Sequence, residues 1–191
     1  VIGVTGGFSC GKTTVSRLLA ERADKLIDAD AIARELLSRD KAVISGVKRT
    51  FGPGVFRGKA VDRLKLRETV FSSDKARVSL ERIMHPAIMR KIREGIGSAG
   101  RGVVVLDAPL LFEKGLDRLV DLTVAVTAPL KDIVKRAVKR GFKKEEALAI
   151  VKAQMSVRNK TRKADLVIVN NGNIEKIKKG VERTWKRMEG R

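Results

Sequence analysis

The stretch Gly6-Gly7-Phe8-Ser9-Cys10-Gly11-Lys12-Thr13-Thr14 carries the spacing Gly-x-x-x-x-Gly-Lys-Thr, and these residue types at this spacing suit the gripping of a chain of phosphates. A triphosphate crowds several negative charges into a small volume. Backbone N–H groups from Gly7, Phe8, Ser9, Cys10, Gly11, Lys12, Thr13 and Thr14 can surround it, with glycine at positions 6 and 11 expected to leave room for that approach. Lys12 supplies a point charge to the outer phosphates, Thr13 a hydroxyl for Mg²⁺, and a helix starting here directs its positive end at the anion. The apolar run from Val1 to Thr5 precedes the loop, and Val15, Leu18 and Leu19 follow at helical spacing, so the order is strand, loop, helix. Beside the helix terminus and Lys12, the Cys10 thiol is expected to have a lowered pKa, although nothing near it in sequence could act as its base.

Other residues could complete a phosphoryl-transfer site. Asp28-Ala29-Asp30 falls where a second strand, Lys25 to Asp28, should end, and strand alternation would put both carboxylates on one side. A carboxylate there can orient an attacking hydroxyl and accept its proton; equally, Asp30 can cap a helix beginning at Ala31. Asp107 ends the β-branched run Val103 to Leu106, as a magnesium-holding aspartate would, or as a plain loop-start residue would. Arg136 and Arg140, four apart on a helix, can close over phosphates on a movable segment or can be an ordinary solvated face.

The elements that must position these groups follow from periodicity. Apolar runs at Val1–Thr5, Lys25–Asp28, Val103–Asp107, Leu122–Thr127 and Leu166–Val169 alternate with helical patterns, which implies an α/β fold with a parallel sheet. Residues from Arg63 to Gly97 read as helical, with Pro86 expected to kink or restart the helix near His85. Ile174, Ile177, Val181, Trp185 and Met188 mark one face of a final helix.

The chain of 191 residues has 42 Lys+Arg against 22 Asp+Glu, a net charge of +20. Between residues 131 and 163 there are twelve basic and three acidic side chains, so the charge is concentrated there. One Trp, no Tyr and six Phe are too few aromatics for the base-stacking surface of a single-strand binder, so no nucleic-acid partner is expected. With one cysteine and one histidine there is no internal disulfide and no zinc cluster, and metal must enter through oxygen ligands. No apolar run is long enough for a bilayer, and the chain opens directly on a strand pattern without a leader, so a cytoplasmic protein without a membrane partner is expected.

Read together, Thr5-Gly6-Gly7 with Gly11-Lys12-Thr13-Thr14, Ile27-Asp28-Ala29-Asp30-Ala31-Ile32-Ala33-Arg34, Phe51-Gly52, Asp62-Arg63, Val70-Phe71, His85-Pro86, Pro109-Leu110-Leu111-Phe112-Glu113, Gln154, Ala164-Asp165 and Asn170-x-Gly172 resemble the successive signatures of the dephospho-CoA kinases. The Asp-Ala-Asp, His-Pro and Pro-Leu-Leu-Phe-Glu elements are more specific than the phosphate loop, which many families share. The resemblance implies transfer of the γ-phosphoryl group of ATP to the ribose 3′-hydroxyl of dephospho-CoA, the last step of CoA synthesis, with Mg²⁺. It implies that Asp30 is the base or hydroxyl-orienting residue. Arg63, His85, Leu111 and Phe112 would lie around the acceptor, Arg136 and Arg140 in a lid system, and Asn170 near the adenine.

The implied architecture is a three-layer, P-loop fold with a five-stranded parallel sheet. As one domain over residues 1–191, it would divide into a nucleotide-binding core (1–29, 101–140 and 164–191), a helical acceptor-binding part (30–100) and a lid (141–163), as a monomer or weak homo-oligomer. Two departures stand out. Ile133 occupies a position where the family often has glutamine, and Phe8 and Cys10 make the loop bulkier than usual. The nearest alternatives are another P-loop kinase with a different acceptor and a nucleic-acid-stimulated ATPase.

Overall fold

Short β-branched and apolar runs form the strands and helical stripes cover them. The computed structural model describes residues 1–153 and 157–190, so Gln154 lies outside the described residues. Five parallel strands make the main sheet: β1 (Ile2–Gly6), β2 (Lys25–Asp28), β5 (Val104–Asp107), β6 (Leu122–Thr127) and β7 (Leu166–Val169), in the spatial order β2-β5-β1-β6-β7. β1 is central, and all five of its residues are buried, as expected of a strand covered on both faces. The register pairs Val4 with Asp107 and with Val124, and Asp28 with Asp107, so the ends of β1, β2 and β5 reach one edge of the sheet together.

Alternation along β1 sorts the two layers that cover it. Ile2 and Val4 join the cluster made by Val15 and Leu19 of α1 (Lys12–Ala20) with Ile177, Val181 and Trp185 of α9 (Ile174–Glu189). Each such side chain contributes about 1.5–3 kcal/mol by leaving water. A Cβ on Gly3 would meet Leu111 at 3.1 Å and Val120 at 3.0 Å, so the intervening residues serve the opposite layer, which also receives α8 (Val157–Lys163). α6 (Leu130–Lys139) and α7 (Lys144–Ala153) follow β6.

By backbone contacts the chain forms two compact units, residues 1–28 with 99–191, and residues 29–98. The second is built from α2 (Ala29–Arg39), α3 (Lys41–Phe51), the two-stranded hairpin of β3 (Phe56–Arg57) and β4 (Ala60–Val61), α4 (Arg63–Phe71) and α5 (Asp74–Gly97). Its own core joins Leu36, Val43, Val47, Val55, Leu66, Met84 and Ala87.

Three expectations need correction. The helical stretch breaks at Ser72-Ser73, where the Ser73 hydroxyl accepts from the N–H of Ala76 at 3.3 Å and starts a new helix. Through Pro86 the helix is continuous, because α5 is held along its length by α2, α3 and α4, and that packing outweighs one lost N–H. α2 begins at Ala29 rather than Ala31, so Asp30 stands in its first turn and does not cap it, and strand alternation from Asp28 does not reach it.

Gly180 shows how close α9 lies to β7: a Cβ there would stand 2.9 Å from Cγ1 of the buried Ile168. Replacing Gly180 by Ala gains about 1 kcal/mol of helix propensity but overpacks the interface at a cost of about 1–3 kcal/mol. Gly180→Ala should therefore lower the denaturation midpoint, and an unchanged or higher midpoint in thermal unfolding would show that the helix can move away from the sheet.

Candidate active site

The turn from β1 into α1 sets the geometry. Gly11 has φ +90°, a left-handed conformation, and a Cβ on it would fall 2.0 Å from Nδ2 of Asn170. Gly6 is just as constrained, since its Cβ would meet the Val126 carbonyl at 2.6 Å and the Cys10 sulfur at 2.7 Å. Both positions need glycine because the protein's own atoms approach there. Asn170, which follows β7 and is buried, donates to the Cys10 carbonyl at 2.9 Å and accepts from Gly172 N–H at 3.1 Å. Arg136 donates from one nitrogen to the carbonyls of Cys10 at 3.2 Å and Ser9 at 3.4 Å, and from the other to the side-chain and backbone oxygens of Asn170, both at 3.0 Å. Arg140, the C-cap residue that follows α6, donates to the Ser9 hydroxyl at 3.3 Å. The expected arginine pair thus converges on the loop from α6.

Lys12 forms an ion pair with Asp107, a carboxylate that is 5% exposed at the end of β5. Thr13 is exposed in the first turn of α1. Asp28, set aside in favour of Asp30 by the sequence resemblance, is the register partner of Asp107, so two carboxylates end adjacent strands. Among the described residues no group of three or more His, Cys, Asp or Glu side chains could hold a metal alone. A hydroxyl and a carboxylate are hard oxygen donors of the kind Mg²⁺ accepts alongside substrate phosphates and water, so the residues present fit that ion.

The bulk of Cys10 turns into the protein, while half-buried Phe8 packs against another ring. The rings of Phe8 and Phe142 meet edge to face at 5.1 Å, and Cys10, 1% exposed, belongs to the sheet core. The expected lowering of the Cys10 pKa is therefore reversed: burial pushes the thiol up, outweighing the Lys12 N–H and charge and Arg136. Ile133 is also buried, which leaves no polar contact from that position.

A further group escaped the sequence reading. Lys160, 1% exposed, donates to the Pro109 carbonyl at 2.5 Å and lies 2.9 Å from the Glu113 carboxylate, while the Thr5 hydroxyl donates to the same carbonyl at 2.9 Å. In a basic stretch its burial leaves no sequence signal. Leu111 is fully buried near Gly3, and Phe112 is partly exposed with Lys163 Nζ 5.9 Å from its ring. Asp30 and Arg63 are exposed and His85 half-buried; all three belong to the unit of residues 29–98.

Burial and a raised pKa predict that Cys10 reacts with iodoacetamide at pH 8 far more slowly than a free thiol, reaching the ordinary rate only in denaturant. Mass spectrometry of the labelled chain over time measures this, and fast labelling of folded protein would contradict the buried placement.

Comparison with known proteins agrees with this geometry. The sequence model of the family described as dephospho-CoA kinase matches residues 1–176. A dephospho-CoA kinase of Carboxydothermus hydrogenoformans is 40% identical over 186 residues, covering 95% of this chain and 90% of the relative. One of Bacillus cereus is 40% identical over 187 residues, with 95% and 94% covered. Among solved structures, a Thermus thermophilus protein superposes with a TM-score of 0.86 at 34% identity, covering 97% of this chain and 96% of its own. A shikimate kinase from Bacteroides thetaiotaomicron, at 16% identity and TM-score 0.53 over 98% of this chain and 97% of its own, shares the fold. The chain belongs to the dephospho-CoA kinase family.

Proposed function

We propose that this protein transfers the γ-phosphoryl group of ATP to the ribose 3′-hydroxyl of dephospho-CoA, giving CoA and ADP. Family membership over residues 1–176 carries the reading, and the loop geometry around Lys12 supports it. The N–H groups from Gly7 to Thr14 and the positive end of α1 receive the phosphates, and Lys12 exchanges its Asp107 partner for the outer phosphate oxygens. Thr13 and Asp107 would hold Mg²⁺, which neutralises charge on the phosphates when bound.

Arg136 and Arg140 approach the loop from α6 and offset the negative charge of the transferring group, and residues 141–163 act as the lid that excludes water. Asn170 holds the loop carbonyl at Cys10 and lies towards the adenine. Asp30 orients the 3′-hydroxyl and takes its proton as the new O–P bond forms and the bond to ADP breaks. The first-turn position of Asp30 supports this, since the capping role that competed for it falls away. Residues 29–98 form the acceptor-binding part, in which Arg63 and His85 serve the acceptor; Leu111 and Phe112 of the other unit are assigned to the acceptor as well. The proposal includes a cytoplasmic enzyme, monomeric or weakly self-associating. Among the described residues no helix is long and apolar enough to cross a membrane.

ADP release measured with dephospho-CoA, with nucleoside monophosphates, and with single-stranded RNA or DNA separates the competing readings. Rapid turnover with dephospho-CoA alone is expected, whereas stimulation by nucleic acid alone would give the +20 charge a different meaning. Asp30→Asn should lower kcat by about 100- to 10,000-fold with ATP affinity nearly unchanged, as loss of a general base does. An unimpaired kcat in the same assay would remove Asp30 from the chemistry.

A further inference from the structure

The unit of residues 29–98 has a groove of about 890 Å³ lined by α2, the β3–β4 hairpin and the start of α4. Every cation on its wall is an arginine: Arg34, Arg39, Arg57, Arg63 and Arg67. Two carboxylates share the lining, Glu35 and Asp62. Asp62 is already engaged, accepting from Leu64 N–H at 3.1 Å, Lys65 N–H at 3.3 Å and Arg57 at 3.0 Å. Those contacts, led by the Lys65 N–H, hold its carboxyl below the ordinary aspartate range. Arg39 and Arg63 form no ion pair among the described residues. The Arg67 guanidinium carbon lies 5.3 Å from the Phe71 ring, and Arg63 is one turn before it on the same face of α4.

Gathering guanidinium groups around one concavity costs like-charge repulsion, which a bound polyanion relieves. The absence of lysine from this wall, in a chain rich in it, points the same way: the planar fork of arginine grips phosphate oxygens in pairs, where an ammonium is a point charge. We propose that this groove takes the diphosphate of the acceptor, and that Arg39 and Arg67 select acceptors that carry one. The inference rests on the function proposed above.

The spacing along α2 supports it. Asp30 and Arg34 are one helical turn apart on one face, a rise of about 6 Å. A nucleoside's 3′-hydroxyl and 5′-phosphate are separated by a single ribose ring, a comparable span. With the 3′-hydroxyl at Asp30, the diphosphate falls beside Arg34 and the groove beyond it. Five guanidinium groups against two carboxylates leave an excess of three, enough to meet the two charges of a diphosphate diester. Exposed Leu64 on the same wall offers apolar surface to the arm that continues past the diphosphate.

Steady-state kinetics of the full chain test this with Arg39→Ala and Arg67→Ala, singly and together. The double variant should raise KM for dephospho-CoA by about tenfold or more, as loss of charge-assisted hydrogen bonds does, with KM for ATP and kcat changed less than about threefold. Unchanged KM for dephospho-CoA, or an equal rise in KM for ATP, would overturn it. Should the alanine variants not fold, judged by circular dichroism, Arg39→Lys with Arg67→Lys keeps the charge and should still raise KM several-fold; an unchanged KM would again count against the groove. If the unaltered chain does not phosphorylate dephospho-CoA, the functional reading itself fails. Calorimetry with inorganic pyrophosphate on a Lys12→Ala background then decides the groove alone: binding abolished by the arginine pair supports the site, and binding absent or unaffected by the pair refutes it.

Discussion

The turn between β1 and α1 is the constraint on which the rest of this structure depends. Its backbone must curl tightly enough to direct N–H groups inward, and it does so with Gly11 in a left-handed conformation against the Asn170 amide. A side chain at either glycine would strike protein: Asn170 at one, and Val126 with Cys10 at the other. The loop is therefore not a flexible flap but a packed surface held by β6, by the residue after β7 and by α6.

Charge is organised around that turn in layers. Asp107 meets Lys12 at the edge of the sheet, and Arg136 bonds the carbonyls on the loop's other side, so that carbonyl oxygens which would repel phosphate are directed to a cation. Because Arg136 also holds Asn170, α6, the loop and the end of β7 form one hydrogen-bonded assembly. Lys160 does similar work one layer away: paired with Glu113 and donating to the Pro109 carbonyl, it connects α8 to the segment that follows β5. Breaking a buried pair of this kind leaves an uncompensated charge, so removing either partner costs more stability than removing an exposed lysine.

The large positive charge of the chain has more than one origin. Part of it converges on the phosphate loop from α6, part is buried as Lys160, and part lines the arginine groove of residues 29–98. The remainder lies on exposed faces such as that of α9, where solvated lysines and arginines oppose the Ile177, Val181 and Trp185 stripe. Only the converging groups carry information about the ligand, because recognition requires several donors aimed at one point.

Local chemistry determined a good deal without tertiary contacts. The spacing from Gly6 to Thr13 specifies a phosphate loop because backbone approach and a lysine are needed in a fixed order, and the five apolar runs specify a parallel sheet because strands alternate with helices. Tertiary structure decided what depends on neighbours distant in sequence. Whether Cys10 is an activated thiol or a buried one turned on the core that surrounds it, and Pro86 sits within a continuous helix because α2, α3 and α4 pack along it. Lys160 could not be told from a solvated lysine, nor could Arg67 of α4 be joined to Arg34 and Arg39 of α2, until separate elements came together. A one-dimensional pattern reports which face an element buries; burial of a charge and convergence of several charges are properties of the space between elements.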